Sequence, residues 1–324
     1  MAAACAACVL IGLAAAAWGQ PREPRPQVEQ AGPAEPGADG PVRPPSRRSA
    51  LRAAWGLVRG LLVLFLCLCL LVMACERRFV FYPMRYPHGD WDARPAGAED
   101  CRLTTSDGLR LHAWWLSAGP DAPVLLWLHG NAGNISHRAE NQRLLARSGM
   151  SSLLVDYRGY GRSEGKPTEQ GIYLDAEAAY DYLTRQRGVP PEHIVAFGQS
   201  MGAAAAVHLA LVRPVRGLIL ESPFASARAM ARHIMPLLPV WPFVRTRMDN
   251  VGRIRSVRVP VLVLHGDRDE VVPFEQGRQV FEAAPEPKRF YRIEGAGHND
   301  TWVVGGDDYF RTLADFCRRC AGAR

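Results

Sequence analysis

The segment "IVAFGQSMGAAAA", residues 194–206, places a small polar turn between two elements of different type. Residues 194–197 form an uninterrupted apolar run, which is typical of a strand buried on both faces in a parallel sheet. The alanine-rich stretch 203–212 indicates a helix. Because Gly198 and Gly202 have no side chains, strand and helix can approach closely. The pattern therefore predicts a very tight turn whose central residue has a strained backbone.

Ser200 occupies the centre of this turn. A serine at the carboxyl end of a central strand exposes its Oγ, and the first amides of the following helix form an anion site beside it. Acyl transfer requires this arrangement. Because a single G-x-S-x-G motif also occurs by chance, the assignment of Ser200 as a nucleophile depends on partners elsewhere in the chain.

Composition limits the classes of protein to consider. The chain has 324 residues, a formal net charge of +7 and eight cysteines. Its length fits an N-terminal region of about 75 residues followed by one large α/β domain. The arginines are dispersed and are not interleaved with aromatic residues, so no nucleic-acid partner is expected. The cysteines are spread between apolar N-terminal segments and the domain, which does not indicate a disulfide framework.

The N-terminal region divides into three segments. Residues 1–19 are apolar and alanine-rich, without a basic start. They fit three interpretations: a poor signal peptide, a weak membrane span, or sequence upstream of a misassigned start codon. Residues 20–52 are rich in Pro and Arg and predict a disordered linker. Residues 53–75 predict a transmembrane helix, since about 20 apolar residues cross a hydrocarbon core. The arginines ahead of it slightly favour a non-cytoplasmic catalytic domain.

From residue 99 onward, apolar runs of strand length alternate with helical stretches after a hairpin at residues 106–108. Such alternation predicts a mostly parallel sheet covered by helices on both faces. In sheets of this kind, sites form outside the carboxyl ends of the strands. The runs are 124–128, 153–155, 194–197, 218–220, 261–264 and 290–293.

The residues that follow these runs form ordered motifs. They are "HGNAGN" (129–134), "DYRGYGRSEG" (156–165), the serine turn, "HGDRDEVVP" (265–273) and "GAGHND" (295–300). With these motifs the chain from about residue 78 to its end resembles the α/β-hydrolase family, most closely its membrane-anchored, serine aminopeptidase-like branch. The resemblance implies an α/β-hydrolase fold in domain 76–324, with a small lid insertion at about 224–258.

A serine hydroxyl becomes a nucleophile when an imidazole takes its proton and a carboxylate orients that imidazole. In α/β-hydrolases the chain order is Ser, acid, His. Of the nine histidines, His298 is the one that follows the loop 265–273, so it is the predicted base. That loop offers three acids, Asp267, Asp269 and Glu270, and the resemblance implies Asp269. Glu221, after the preceding strand, is the alternative acid.

Negative charge that develops on the substrate oxygen requires preorganised donors. The amide of Met201 directly follows the nucleophile, and Asn131 in the "HGNAGN" loop is the second predicted donor of this oxyanion hole. Arg158 is interpreted as a tether between loops. No motif indicates a cofactor, and no His and carboxylate cluster indicates a metal.

The predicted lid contains the apolar stretch "IMPLLPVWPF", residues 234–243, in which three prolines prevent a regular helix. Trp241 and Phe243 are predicted to bind the acyl chain of a substrate, and simple packing on the domain is the alternative. The first hypothesis is a membrane-anchored serine hydrolase that acts on the ester or thioester of an acyl-containing small molecule, lipid or acylated substrate. A serine peptidase, an acyltransferase and a catalytically silent, membrane-tethered binding protein remain as alternatives.

Overall fold

The core of the fold is an eight-stranded sheet, described by a computed structural model that covers residues 47–237 and 240–321. The strand order is β1-β2-β4-β3-β5-β6-β7-β8. The pairs β1/β2 and β2/β4 are antiparallel, and all the other pairs are parallel. The strands are β1 (Glu99–Thr104), β2 (Arg110–Leu116), β3 (Val124–Leu128), β4 (Ser151–Asp156), β5 (Ile194–Gln199), β6 (Gly217–Glu221), β7 (Val261–Gly266) and β8 (Lys288–Ile293).

Helices cover both faces of the sheet, as the alternating pattern predicted. They are α1 (Arg47–Val80), α2 (Ala139–Arg147), α3 (Glu169–Asp181), α4 (Gly202–Val212), α5 (Ala227–Ile234), α6 (Asn250–Ile254), α7 (Phe274–Ala283) and α8 (Thr301–Ala321). One buried apolar cluster contains residues of α3, α4, α6 and α7, and a second cluster contains residues of α2 and α8. The central strands β3, β5, β6 and β7 are buried on both faces, which explains why their sequences are continuous apolar runs.

Helix α1 differs from the predicted boundaries at both ends. Its segment Ala54–Arg78, with a mean hydropathy of 2.8, is long and apolar enough to cross a membrane by length and composition. The helix already begins at Arg47, so residues 47–52 are not part of a linker. Arginine, alanine and leucine in this stretch are good helix formers and extend the apolar helix in the N-terminal direction. The rest of the predicted linker and the segment 1–19 lie outside the described residues.

The compact unit that includes the whole sheet begins at Gly60. This unit thus includes residues 60–75 of α1 in addition to the predicted domain 76–324. The physical reason is that one face of α1 packs on the insertion after β6. Cys69 on this face is buried, and the rings of Phe65 and Phe243 meet edge to face with centroids 6.4 Å apart.

The carboxylate of Glu76 extends this contact at the end of α1. It is buried and accepts the backbone N–H groups of Arg245 at 3.1 Å and of Thr246 at 2.6 Å. The insertion itself contains α5, a short 3-10 turn at Trp241–Phe243, and α6. Helix α5 ends at Ile234, shortly before Pro236, as the proline pattern predicted.

Candidate active site

The turn between β5 and α4 has the strained geometry that its sequence predicted. Ser200 has a φ of 52°, in the left-handed region that few non-glycine residues adopt. A Cβ at Gly202 would lie 1.9 Å from the carbonyl oxygen of Leu128, and a Cβ at Gly198 would lie 2.4 Å from the carbonyl oxygen of Gly202. Glycine is therefore required at both positions, because a side chain would prevent the close approach of strand and helix.

The structure brings Ser200, His298 and Asp269 together in one hydrogen-bonded chain. His298 Nε2 lies 3.0 Å from Ser200 Oγ, and His298 Nδ1 lies 2.7 Å from Asp269 Oδ2. All three residues lie on turns at the carboxyl ends of β5, β7 and β8, although they are far apart in the chain. Each side chain is largely shielded from water, with Ser200 9% exposed and His298 7% exposed. With Nδ1 protonated, His298 can accept the proton of the Ser200 hydroxyl.

Asp269 is held as an ionised carboxylate. Burial opposes ionisation, but hydrogen bonds from His265, His298 and the Val272 amide outweigh it and hold the pKa of Asp269 well below its usual range. The amides of Val271 and Val272 donate to Oδ1 at 2.9 and 2.7 Å. His265 Nε2 lies 3.2 Å from Oδ2.

Sequence analysis missed the contact of His265 with Asp269. The two residues are four positions apart in "HGDRD", and this short separation was the one indication in the sequence that they could meet.

The two other acids in this loop face different partners. Asp267 pairs with the guanidinium of Arg292 at 2.7 Å and ties the loop to β8. Glu270 accepts the backbone N–H of His298 at 3.2 Å. Of the three acids in the loop, Asp269 is the one whose carboxylate hydrogen-bonds to the imidazole ring of His298.

Glu221, the alternative acid, is fully buried and its carboxylate is occupied. It accepts hydrogen bonds from the hydroxyls of Thr301 and Tyr309 and from the amide of Gln199. Burial raises the pKa of Glu221 above its usual value. Its backbone carbonyl accepts the N–H of Ser200 at 2.8 Å, so Glu221 supports the serine turn through the main chain.

The "HGNAGN" loop lies beside the nucleophile. A Cβ at Gly130 would lie 3.5 Å from the Cβ of Ser200. The N–H groups of Met201 and Asn131 are the two predicted oxyanion donors. Within residues 47–237 and 240–321, neither of these N–H groups donates a hydrogen bond to a protein acceptor. Their role as oxyanion donors stays a prediction.

The side chain of Asn131 has a different partner, the chain that follows α1. We call residues 80–90 the strap. The Oδ1 atom of Asn131 accepts the N–H of Tyr82 at 3.0 Å and the hydroxyl of Tyr160 at 2.8 Å, and its Nδ2 donates to the carbonyl of Val80 at 2.6 Å. The side chain thus fixes the loop to the strap.

Asn134 holds the strap in the same way. Its Nδ2 donates to the carbonyls of Met84 and His88 at 3.2 and 2.8 Å, and the N–H of Met84 donates to Gly133 at 3.3 Å. The two asparagines of "HGNAGN" therefore position the loop by binding a segment about fifty residues upstream. The strap could not be predicted from the sequence, because nothing in the motif indicates what its amide groups bind.

Arg158 lies where its tether interpretation predicted. Its guanidinium pairs with Asp107 in the turn between β1 and β2 at 2.8 Å and with Asp175 in α3 at 2.9 Å. The Arg158 guanidinium lowers the pKa of Asp107 to about 2. The residue therefore joins three segments of the fold.

The two lid residues predicted to bind substrate lie on the insertion. The guanidinium of Arg232 lies 5.6 Å from the ring centroid of Trp241, and Phe243 packs on Phe65 of α1. Their role in substrate binding stays a prediction. In the part of the chain that the structure describes, no three His, Cys, Asp or Glu side chains are grouped so as to hold a metal ion.

Comparison with known proteins identifies related chains. A family model described as the alpha/beta hydrolase fold matches residues 123–250. The alpha/beta hydrolase domain-containing protein WAV2 of Arabidopsis thaliana is 36% identical over 245 residues, which cover 69% of this chain and 79% of the relative. The human alpha/beta hydrolase domain-containing protein 17B is 34% identical over 232 residues, which cover 70% of this chain and 78% of the relative.

Solved structures of low sequence identity share the same fold. The esterase Pf2001 of Pyrococcus furiosus superimposes with a TM-score of 0.61 at 24% identity, covering 74% of this chain and 98% of the esterase. An esterase of Exiguobacterium antarcticum superimposes with a TM-score of 0.53 at 17% identity, covering 68% of this chain and 100% of that chain. Similarity at this level of identity shows the architecture alone.

Proposed function

Because the chain belongs to the α/β-hydrolase family, we propose that it is a membrane-anchored serine hydrolase that cleaves acyl esters or thioesters. The observation that supports this most directly is the hydrogen-bonded series of Ser200, His298 and Asp269. Beside it are Met201 and Asn131, whose backbone N–H groups have no protein acceptor among the described residues. Nucleophile, base, orienting acid and oxyanion donors are the four parts that acyl transfer needs.

In the proposed mechanism Ser200 Oγ attacks the acyl carbonyl carbon while its proton passes to His298 Nε2. The carbonyl π electrons move to the oxygen, and the amides of Met201 and Asn131 stabilise the resulting oxyanion. The oxyanion then re-forms the carbonyl, and the bond to the alcohol or thiol breaks as His298 donates its proton to the leaving group. Water, activated by the same imidazole, attacks the acyl-enzyme and releases the carboxylic acid and free Ser200.

The electrostatics of the site favour these reaction steps. Asp269 has a pKa below its usual range, so it is ionised throughout the neutral range and stabilises the imidazolium that forms at each proton transfer. Its position is fixed by the amides of Val271 and Val272 before the substrate binds. Preorganisation of this kind avoids reorientation of the carboxylate during the reaction.

The alternatives differ in substrate and acceptor. A peptidase or an acyltransferase would use the same residues, with an amide substrate or with an acceptor other than water. A catalytically silent binding protein is the alternative of another class. The left-handed backbone at Ser200 weighs against it, because local strain of this kind is retained where function requires it.

We further propose that α1 anchors the protein as a single membrane span, with the catalytic domain on the non-cytoplasmic side. The length and apolar composition of Ala54–Arg78 support the span. Carbonate extraction of membranes is expected to leave the full chain in the pellet, and removal of residues 1–77 is expected to move it to the supernatant. Recovery of the full chain in the supernatant would contradict the anchor.

The substrate prediction concerns acyl chain length. If Trp241 and Phe243 contact the acyl chain, each added methylene contributes up to ~0.8 kcal/mol, so kcat/KM should rise about threefold per carbon until the pocket is filled. The measurement is a panel of ester and thioester substrates from acetyl to long acyl chains. Trp241→Ala and Phe243→Ala should flatten this dependence and leave acetyl turnover unchanged, which serves as the internal control.

Equal efficiency on acetyl and octanoyl esters would contradict the acyl-chain preference. A peptide substrate with a free amino terminus that outperforms both esters would favour the peptidase alternative. Turnover that requires an added alcohol or amine acceptor would favour acyl transfer.

A further inference from the structure

The tip of the lid is unusually apolar for a surface segment. Between His233 and Arg245 the sequence is "IMPLLPVWPFV", without a charged side chain. We call the described part of it, residues 234–237 and 240–244, the lid tip. Leu237 is 92% exposed, Ile234 is 64% exposed and Phe243 is 39% exposed. Val240 and Val244 of the lid tip are buried and fix it to the protein, so the exposed side chains are those of Ile234, Leu237 and Phe243. Exposed apolar side chains grouped on one short segment mark a surface that is covered by something other than water.

Contacts with α1 define the height of the lid tip along that helix. At the lower end, the Glu76 carboxylate binds the N–H groups of Arg245 and Thr246. At the upper end, Phe243 packs against Phe65. Phe65 precedes Arg77 by 12 residues, which corresponds to about 18 Å along a helix axis. The lid tip therefore rises along α1, away from the sheet domain.

The segment that returns from the lid tip to the domain is held from two sides. On one side, the backbone N–H groups of Arg245 and Thr246 donate to the carboxylate of Glu76 in α1. On the other side, the N–H groups of Arg247 and Met248 donate to the carboxylate of Glu169 in α3 at 2.7 and 2.9 Å. Two carboxylates thus hold four consecutive N–H groups. The height of the lid tip is set by these charge-assisted hydrogen bonds.

The bilayer has a fixed thickness against which this height can be compared. Glu76, Arg77 and Arg78 are the charged residues that end the apolar stretch of α1, and in the proposed span they lie at the interface. One leaflet contributes about 15 Å of hydrocarbon. Even at a tilt of about 40°, the distance from Arg77 to Phe65 along the membrane normal is about 14 Å. Phe243, in contact with Phe65, must then lie below the headgroups.

We propose that the lid tip inserts into the hydrocarbon of the leaflet next to the C-terminal end of α1. Arg232 and Arg245, both exposed, flank the apolar segment in the sequence, and the backbone of Arg245 binds Glu76, next to Arg77 at the proposed interface. The partner surface is a phospholipid bilayer. Building on the proposed hydrolase function, the substrate class is an amphiphile whose acyl chain resides in that leaflet and reaches Ser200 beside the lid tip.

Insertion is tested without catalysis by photocrosslinking. Full-length protein with Ser200→Ala is reconstituted in phosphatidylcholine vesicles that contain a phosphatidylcholine with a diazirine near the middle of one acyl chain. After irradiation, lipid adducts are expected on the tryptic peptide 233–245 and on α1. The peptide 312–318 of α8, whose Phe316 packs beside Gly217 at the amino end of β6 and so lies away from the site, should remain unlabelled.

Adducts on α1 without adducts on peptide 233–245 would overturn the proposal. Labelling of that peptide only by a diazirine in the headgroup would also overturn it, because the lid tip would then touch the surface without entering the leaflet.

A functional test uses Leu237, whose side chain is too exposed to contribute to packing. Leu237→Asp is expected to lower kcat/KM roughly tenfold or more on a long-chain ester embedded in vesicles, because a carboxylate is costly in hydrocarbon. It should leave turnover of a water-soluble acetyl ester unchanged. Val212, an exposed apolar residue at the end of α4, provides the matched control. Val212→Asp should affect neither substrate.

Equal effects of Leu237→Asp on the two esters would overturn the proposal. A wild-type protein that hydrolyses neither ester would instead contradict the proposed function, and the crosslinking pattern would still decide whether the lid tip inserts.

Discussion

Replacement of Ser200 by alanine is expected to lower kcat by roughly four to six orders of magnitude. Without Oγ there is no nucleophile for the acyl group, and His298 loses the hydroxyl that lies 3.0 Å from its Nε2. The residual rate would come from the oxyanion donors and from substrate binding alone. Steady-state kinetics on the best ester of the chain-length panel, with the full chain in detergent or vesicles, is the measurement.

The fold should be unaffected by this change. Alanine is smaller than serine and accepts the same left-handed backbone at similar cost, so the thermal midpoint should stay within a few degrees of wild type. Turnover at a tenth of the wild-type rate in Ser200→Ala, with an intact fold, would refute the assigned mechanism.

The second large effect is expected for Asp269→Asn, which should lower kcat by several orders of magnitude. The amide group would favour the tautomer of His298 that carries its proton on Nε2, so the imidazole could no longer accept the proton of Ser200. Asparagine has nearly the same volume as aspartate, so the change tests charge and tautomer more than packing. Kinetics over a pH series should show the loss at every pH.

Glu221→Gln is the matched control for this substitution. Glu221 is fully buried, and its carboxylate binds Thr301, Tyr309 and Gln199. The change should therefore lower the free energy of unfolding by about 1–3 kcal/mol, as expected for a buried hydroxyl left without an acceptor. It should change kcat little. If Glu221→Gln removes activity and Asp269→Asn preserves it, Glu221 is the acid.

The pKa of Asp269 also predicts how stability depends on pH. Its value in the folded state lies below that of an unfolded aspartate, so ionised Asp269 stabilises the fold fully at pH values above the unfolded value. This contribution is lost as the pH falls from the unfolded value through the folded one. The stability difference between wild type and Asp269→Asn should therefore be constant near neutrality and shrink only in strong acid.

The sequence was sufficient to predict the parts of the fold whose signals are local. The apolar runs predicted the buried strands, and the two glycines around Ser200 predicted the strained turn, because close backbone approach leaves a direct signature in residue type. The site could also be predicted, since the carboxyl ends of parallel strands lie on one edge of the sheet. His298 and Asp269 follow β8 and β7 on that edge.

The contacts of α1 and the strap could not be predicted in this way. Asn131 binds Tyr82, 49 positions away, and Glu76 binds Thr246, 170 positions away. A glutamate at the end of an apolar helix usually faces water or headgroups, so its type does not indicate that it receives two backbone amides. Such side-chain to backbone contacts depend on the tertiary arrangement, and either residue would look ordinary in sequence alone.

Intact-mass analysis after treatment with a fluorophosphonate probe tests the central claim most directly, because the probe forms a covalent adduct only with an activated nucleophile. We expect a single adduct on the full-length protein, located on Ser200 by peptide mapping. It should be absent from Ser200→Ala and form far more slowly in Asp269→Asn. An unmodified protein under conditions that label other serine hydrolases, or an adduct that persists in Ser200→Ala, would contradict it.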